Sequence, residues 1–130
     1  MPPSVTRNYV QDKGYNAAAA LTKFRAVKFS AAETVTPVTA ITDMVAGIVQ
    51  HDVTSGEILK GKGASIATMG ASVMEASVAI TIGTLVSISA NGRAAVASTG
   101  EVAIGHCIEA ASGAGEFCRV QLDLPGRLMP

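Results

Sequence analysis

The chain is expected to be all-β: a small compact barrel or sandwich of short strands preceded by an extended N-terminal arm. Three observations predict this. From Ile80 to Leu122 the sequence is a series of short apolar runs broken by glycine-bearing turns. Asn91-Gly92 separates VSISA from RAAVA, and both residue types tolerate the positive φ that a tight two-residue hairpin turn demands. The apolar content is 48%, but much of it is Ala and Val, with no Trp and only three Phe and two Tyr, so the core is one of small side chains. Small side chains suit thin, closely packed sheets better than a large ligand cavity. The pattern points to a protein that works by its surface and its assembly.

Residues 1–23 are expected to form the arm and residues 24–130 the β-domain. Pro2-Pro3 opposes helix, and Asn8, Asp12, Gly14 and Asn16 punctuate the next dozen residues. AAAALTK, residues 17–23, has the propensity for a turn or two of helix but is too short to be stable alone. From Phe24 to Phe29, FRAVKF alternates with period 2 as a first strand, and residues 30–33 turn. VTPVTAIT (35–42) is rich in β-branched residues, with Pro37 confining it to an edge or a strand start. MVAGIVQHDV (44–53) reads as a strand in which Gly47 marks a bulge or a close backbone approach.

Short strands at 57–60 and 64–69 flank Gly61-Lys62-Gly63, and Gly70 is a further break. ASVMEASVAI (71–80) fits a strand or one amphipathic turn equally well. LVSISA and RAAVA form the first hairpin. Residues 102–110 and 117–124 form a second across Ser112-Gly113-Ala114-Gly115. Eight to ten short strands at this spacing are what a small barrel or sandwich requires.

At 130 residues the chain is one domain, long enough to bury a core. Charged residues are only 15% and the formal net charge is zero. The balance is uneven: residues 1–30 carry five cations (Arg7, Lys13, Lys23, Arg25, Lys28) against Asp12, a net +4, which leaves −4 on the remainder. Such an arm can lie on another protein. Nucleic acid is not an expected partner, because no dense basic patch interleaves with aromatics. No apolar run approaches transmembrane length, and the N-terminal stretch lacks an apolar signal core, so neither a membrane nor secretion is expected.

The chemistry-bearing candidates are few. Gly56-Glu-Ile-Leu-Lys-Gly61-Lys62 has the spacing of a phosphate loop, but Gly63 stands where a magnesium-binding hydroxyl is needed, and no helix pattern comes after it. His51-Asp52 suggests a base and its orienter, yet neighbours in a strand point to opposite faces. Cys107 and Cys118 fall on the two strands of the last hairpin. A cross-strand disulfide is one reading and two reduced, buried thiols the favoured one, while a metal site would need more ligands than His106 supplies. No catalytic, metal or cofactor-binding residue is expected. Tyr9 and Tyr15 stand out because exposed aromatics on an arm gain only by docking, either on the chain's own domain or on a partner.

Between Phe24 and Leu122 the chain resembles the capsid decoration, or cement, proteins of tailed bacteriophages. The resemblance rests on KFSAAETVTPVTAITDMVAGIVQHDVTSGE, on the hairpin AITIGTLVSISANGRAAVAS, and on IGHCIEAASGAGEFCRVQL, in that order. The arm matches no motif of the family. The resemblance implies a non-enzymatic, cofactor-free β-barrel that assembles as a homotrimer on the outer surface of the virion and bridges neighbouring major capsid subunits. Arg7, Tyr9, Lys13 and Tyr15 are the expected capsid contacts on the arm. The alternatives are another virion structural module, in a tail or fibre base, or a small ligand-binding β-barrel.

Overall fold

A computed structural model describes residues 11–129. Among them the chain forms nine strands and one short helix: β1 (Gln11–Ala17), β2 (Ala26–Ala31), β3 (Thr34–Pro37), β4 (Gly47–Val49), α1 (Ser55–Leu59), β5 (Ala64–Glu75), β6 (Leu85–Ile88), β7 (Ala94–Val96), β8 (Val102–Glu109) and β9 (Phe117–Leu128). The expected all-β class is what the structure shows. The order of pairing is β1-β3-β2-β4-β5-β9-β8-β6-β7, and β1 also pairs with β5. That last pairing closes the first five strands into a barrel. The remaining strands extend from β5 as a second sheet.

β5 joins the two parts. Its first half pairs with β1 and β4, through Ala64↔Tyr15 and Ala67↔Ile48. Its second half pairs with β9, from Gly70↔Leu122 to Glu75↔Phe117. The strand therefore runs through Gly70, where a break was expected, and changes partners there. Of the two readings of residues 71–80, the strand holds as far as Glu75, and Ile80 then bridges to Ala111.

Gln11–Ala17 lies inside the stretch read as an arm, yet it is a barrel strand. Its sequence shows little apolar alternation; its partners come from far along the chain, with Asn16↔Thr34 parallel on β3 and Lys13↔Ile66 antiparallel on β5. The turn or two of helix for which residues 17–23 have the propensity does not form. Ala18 N–H donates instead to Val35 O at 2.9 Å, and Leu21 exchanges backbone bonds with Val53. An isolated turn of helix cannot outweigh those bonds.

The strand expected at 57–60 is a helix, α1. Thr54 and Glu57 form a capping box: Glu57 N–H donates to Thr54 Oγ1 at 3.2 Å, and Thr54 N–H donates to Glu57 Oε1 at 2.9 Å. The strands expected at 35–42 and 44–53 shorten to β3, which ends on Pro37, and to β4. The Asn91-Gly92 hairpin forms with a longer turn than expected. Ser89 N–H donates to Arg93 O, and only Gly92 adopts positive φ (81°), so Ala90, Asn91 and Gly92 make a three-residue loop.

Two apolar clusters hold the fold. Val27, Val35, Val49, Ala64 and Ile66 fill the barrel, with Tyr15 and Ala46 at its margin. Ile48, Met74, Val86, Ile104 and Val120 pack between the barrel and the second sheet, with Leu124 against them. Among the described residues no side chain larger than Ile or Met is fully buried, in keeping with the composition. Every buried side-chain nitrogen or oxygen among the described residues has a hydrogen-bond partner.

Candidate assembly surfaces

The side chains with chemical potential are occupied structurally. His51 Nε2 accepts the Ser65 N–H at 3.0 Å, which leaves Nδ1 to donate to Asp52 O at 3.2 Å. Both ring nitrogens are thus spent on backbone, and Asp52 Oδ1 accepts the Lys23 N–H at 2.8 Å instead of orienting the ring. His106 sits exposed on β8 opposite Gln121. Both cysteines are buried and unbonded. They do not face each other across the hairpin, since Cys107 pairs with Val120 while Cys118 pairs with Met74. Burial, then the neighbouring Cys107, pushes the Cys118 thiol up to about 11, far from a reactive thiolate at neutral pH. Among the described residues no group of three or more His, Cys, Asp or Glu could hold a metal ion.

Of the four expected contact residues, Arg7 and Tyr9 lie outside the described residues. The structure brings Lys13 and Tyr15 together on β1. Lys13 is exposed, its Nζ 3.8 Å from Glu33 Oε1 and 5.3 Å from the centre of the Tyr15 ring. Tyr15 is half-buried and meets Phe29 edge to face, with ring centres 5.2 Å apart. Its ring is therefore committed to the barrel, and it is Phe29, 52% exposed, that presents aromatic surface to solvent.

Phe29 belongs to an apolar groove that the sequence did not disclose. Met44, Ala46 and Leu124 line it with Phe29, and its volume is about 500 Å³. Met44 is 74% exposed although it was expected inside a strand. The loop before it is fixed by Asp43, whose Oδ2 accepts the Thr39 and Ala40 N–H groups at 2.9 and 3.0 Å and the Lys28 ammonium at 3.0 Å. These bonds, led by that from Thr39, hold the Asp43 carboxyl down at about 2. Lys28, the one charged residue among the described residues that line the groove, is thereby neutralised in place. The available sequence signal was Asp43 itself, a residue able to close a loop onto nearby backbone amides.

Elsewhere several charges are paired within the fold. Glu75, at the end of β5, accepts from Arg25 Nε at 3.2 Å and Nη2 at 3.4 Å, and from Arg93 Nη1 at 3.4 Å. This ties the start of β2 and the β6–β7 turn to the junction of the two sheets. Lys62 meets Glu57 at 2.8 Å, and Arg119 meets Glu109 at 3.2 Å. The surface also carries apolar groups such as Leu59 and Ile82 in the open.

No curated protein matches the chain. Among solved structures, the head fibre gp8.5 N base of bacteriophage phi29 superposes with a TM-score of 0.70 at 14% identity, covering 94% of this chain and 100% of that one. Identity that low establishes a shared fold alone. The model of the phage cement protein family matches residues 15–122, from within β1 to β9 and so across both the barrel and the second sheet. The chain belongs to the phage cement protein family.

Proposed function

We propose that the protein binds the outer surface of the phage head as a homotrimer and holds neighbouring major capsid subunits together. The family match over residues 15–122 carries this reading. A ligand that binds the assembled lattice and not its separated subunits adds its binding free energy to the stability of the lattice. Each contact can be weak, because many sites act on one shell. A chain with only 15% charged residues, several of them paired with one another, suits this task, since less charge must be desolvated on docking.

Arg7, Tyr9 and Lys13 contact the capsid, and Tyr15 contributes by holding Phe29 and the base of the segment in place. Because β1 begins at Gln11, the segment to remove is residues 2–10; a longer deletion would take away a barrel strand. The deleted chain should fold as the full chain does and bind expanded capsids more weakly. Unchanged affinity would remove the segment from the interface. The function itself is tested by quantitative mass spectrometry of purified virions. A ratio near one chain per major capsid subunit is expected. A handful of copies would place the protein in a tail or fibre base, and absence from virions would refute the structural role. Retained lattice binding after replacement of His51, His106, Cys107 and Cys118 would agree with a role free of catalysis.

A further inference from the structure

The ladder between β4 and β5 is finished by a side chain. Ile48↔Ala67 and Val49↔Ile66 are its paired residues, so Gln50 and Ser65 come next in register. Alternate pairs of an antiparallel ladder exchange two backbone bonds. Here one is made, with Gln50 N–H donating to Ser65 O at 2.9 Å. The return bond, from Ser65 N–H, goes to His51 Nε2 at 3.0 Å. The imidazole thus stands in for a backbone carbonyl at the head of β5.

A carbonyl accepts at any pH, whereas an imidazole nitrogen accepts only when it carries no proton. The Ser65 amide always carries its hydrogen, so Nε2 is bare, and Nδ1, 3.2 Å from Asp52 O, holds the ring's proton. A second proton on the ring sets two N–H groups against each other, and the bond to Ser65 breaks. Imidazole is the side chain that takes up a proton between about pH 8 and pH 5. The rung is therefore present on the alkaline side of that range and lost on the acid side.

The surroundings give a charged ring somewhere to go. His51 is half-buried and lines an open cavity of about 450 Å³ with Tyr15, Asn16, Glu33 and Ser65. Glu33 is the one carboxylate among the described residues there, and Lys13 reaches it only at 3.8 Å, with both side chains more than half exposed. On the other side of the ring, Lys62 Nζ donates at 3.4 Å to the same Asp52 carbonyl as Nδ1 does, and it also holds Glu57 at 2.8 Å. The Asp52 carboxylate is turned to the Lys23 N–H. In place, the ring shares its carbonyl with an ammonium; in the cavity it meets a loosely held anion.

We propose that His51 is an acid-released latch: neutral, it completes the β4–β5 ladder on Ser65; protonated, it swings into the cavity toward Glu33 and frees the Ser65 N–H. Opening is confined to the end of this ladder, because Val53 stays joined to Leu21 by two backbone bonds of 2.8 and 3.0 Å. The latch is a property of the chain alone and goes beyond the capsid reading, which can hold or fail separately.

The test is amide exchange of the full chain, followed by NMR at Ser65 and corrected for the intrinsic rate at each pH. From about pH 8 to about pH 5 the protection of Ser65 should fall roughly tenfold, the worth of one ladder bond, while that of Met74, in the second half of β5, should not change. His51→Gln supplies a carbonyl oxygen that does not titrate and should keep Ser65 equally protected at both ends of the range. His51→Ala should leave it poorly protected at both. Constant protection in the parent, or an equal fall in His51→Gln, would overturn the proposal. The ring gives a readout that needs no substitution of His51. Long-range proton–nitrogen spectra at about pH 8 should show its proton on Nδ1, with His106→Gln used to assign the two rings; a proton on Nε2 would also overturn the proposal. Glu33→Gln withdraws the anion that receives the charged ring and should move the loss of protection to lower pH; an unmoved midpoint would overturn the swing toward Glu33. No capsid enters these measurements, so failure here and failure of the capsid reading remain distinguishable.

Discussion

Gly105 leaves no room for a side chain between β8 and β9, and alanine there should be a strongly damaging substitution in the second sheet. Gly105 pairs with Leu122 on β9 and with Val86 on β6. A Cβ at this position would stand 2.1 Å from Gln121 O, 2.9 Å from Gln121 C and 2.9 Å from Val120 Cγ1. Two of these three atoms are backbone, so no rotamer change can relieve the clash. Ordinary contact begins near 3.4 Å, so the strands must part by more than 1 Å at this point. Parting them sacrifices about two ladder hydrogen bonds at roughly 1 kcal/mol each. It also strains the packing of Val120 and Ile104, typically by 1–3 kcal/mol. Against this, alanine recovers about 0.5–1 kcal/mol by restricting the unfolded chain.

The net cost of Gly105→Ala is therefore about 3 kcal/mol. For a chain of this size, at about 4 °C per kcal/mol, Tm should fall by roughly 12 °C. Gly113→Ala is the control: its Cβ would meet nothing within 4 Å, and its φ is not in the left-handed region. That variant should melt within about 1 °C of the parent, or slightly above it. Calorimetry at matched concentration reads both. A Gly105→Ala protein within about 1 kcal/mol of the parent would refute the argument that this contact sets the sheet spacing.

Two further outcomes rest on the paired charges. Glu75→Gln removes the carboxylate between Arg25 and Arg93 and leaves both guanidinium groups part-buried without their anion; the cost should be about 2 kcal/mol in denaturant unfolding, and a loss under 0.5 kcal/mol would mean that solvent already screens the cluster. Asp43 ionises at about 2 in the fold against an ordinary 3.8, so its bonds stabilise the 39–43 loop above pH 3.8 and are lost as pH falls toward 2. Amide exchange at Thr39 and Ala40 should accelerate across that interval in the parent and be fast at every pH in Asp43→Asn; a flat profile in the parent would exclude the carboxylate as the clasp.

The parts of the fold legible in the sequence were those whose cause is local. The β8–β9 hairpin comes from alternating apolar residues on either side of a glycine-bearing turn, whereas the β-branched run at 35–42 was read through Pro37 and the strand in fact ends there. The capping box of α1 was also written locally, as Thr54-Ser-Gly-Glu57, but the apolar alternation nearby suggested a strand instead. β1 could not be read in this way. Lys13-Gly14-Tyr15-Asn16 becomes a strand because β5 and the backbone of Glu33 and Val35 are waiting for it, and those partners lie some twenty to fifty residues away. The groove was hidden for the same reason: Phe29, Met44 and Leu124 come from β2, a loop and β9. Tyr15 was singled out correctly as an aromatic that must dock, but its dock is Phe29 of its own barrel.

The distribution of charge makes the mode of capsid association testable by salt alone. Of the cations whose side chains the structure describes, Lys13, Arg25, Lys28, Lys62, Arg93 and Arg119 each lie within 4 Å of a carboxylate of the same chain. Coulombic attraction from the barrel to a distant surface is weakened by these near neighbours of opposite sign. At 0.15 M ionic strength the screening length is about 8 Å, so only unpaired charges brought close to the capsid should leave a salt signature. Arg7 is such a charge in the proposed interface. Affinity of the full chain for expanded capsids should fall moderately as salt rises, and affinity of the chain lacking residues 2–10 should be lower but nearly flat. A steep dependence that survives the deletion would place the electrostatic contact on the barrel, where Lys23 and Lys60 are exposed and belong to none of these pairs. A flat response in both proteins would make the interface an apolar one, carried by groups such as Leu59 and Ile82 that the fold leaves exposed.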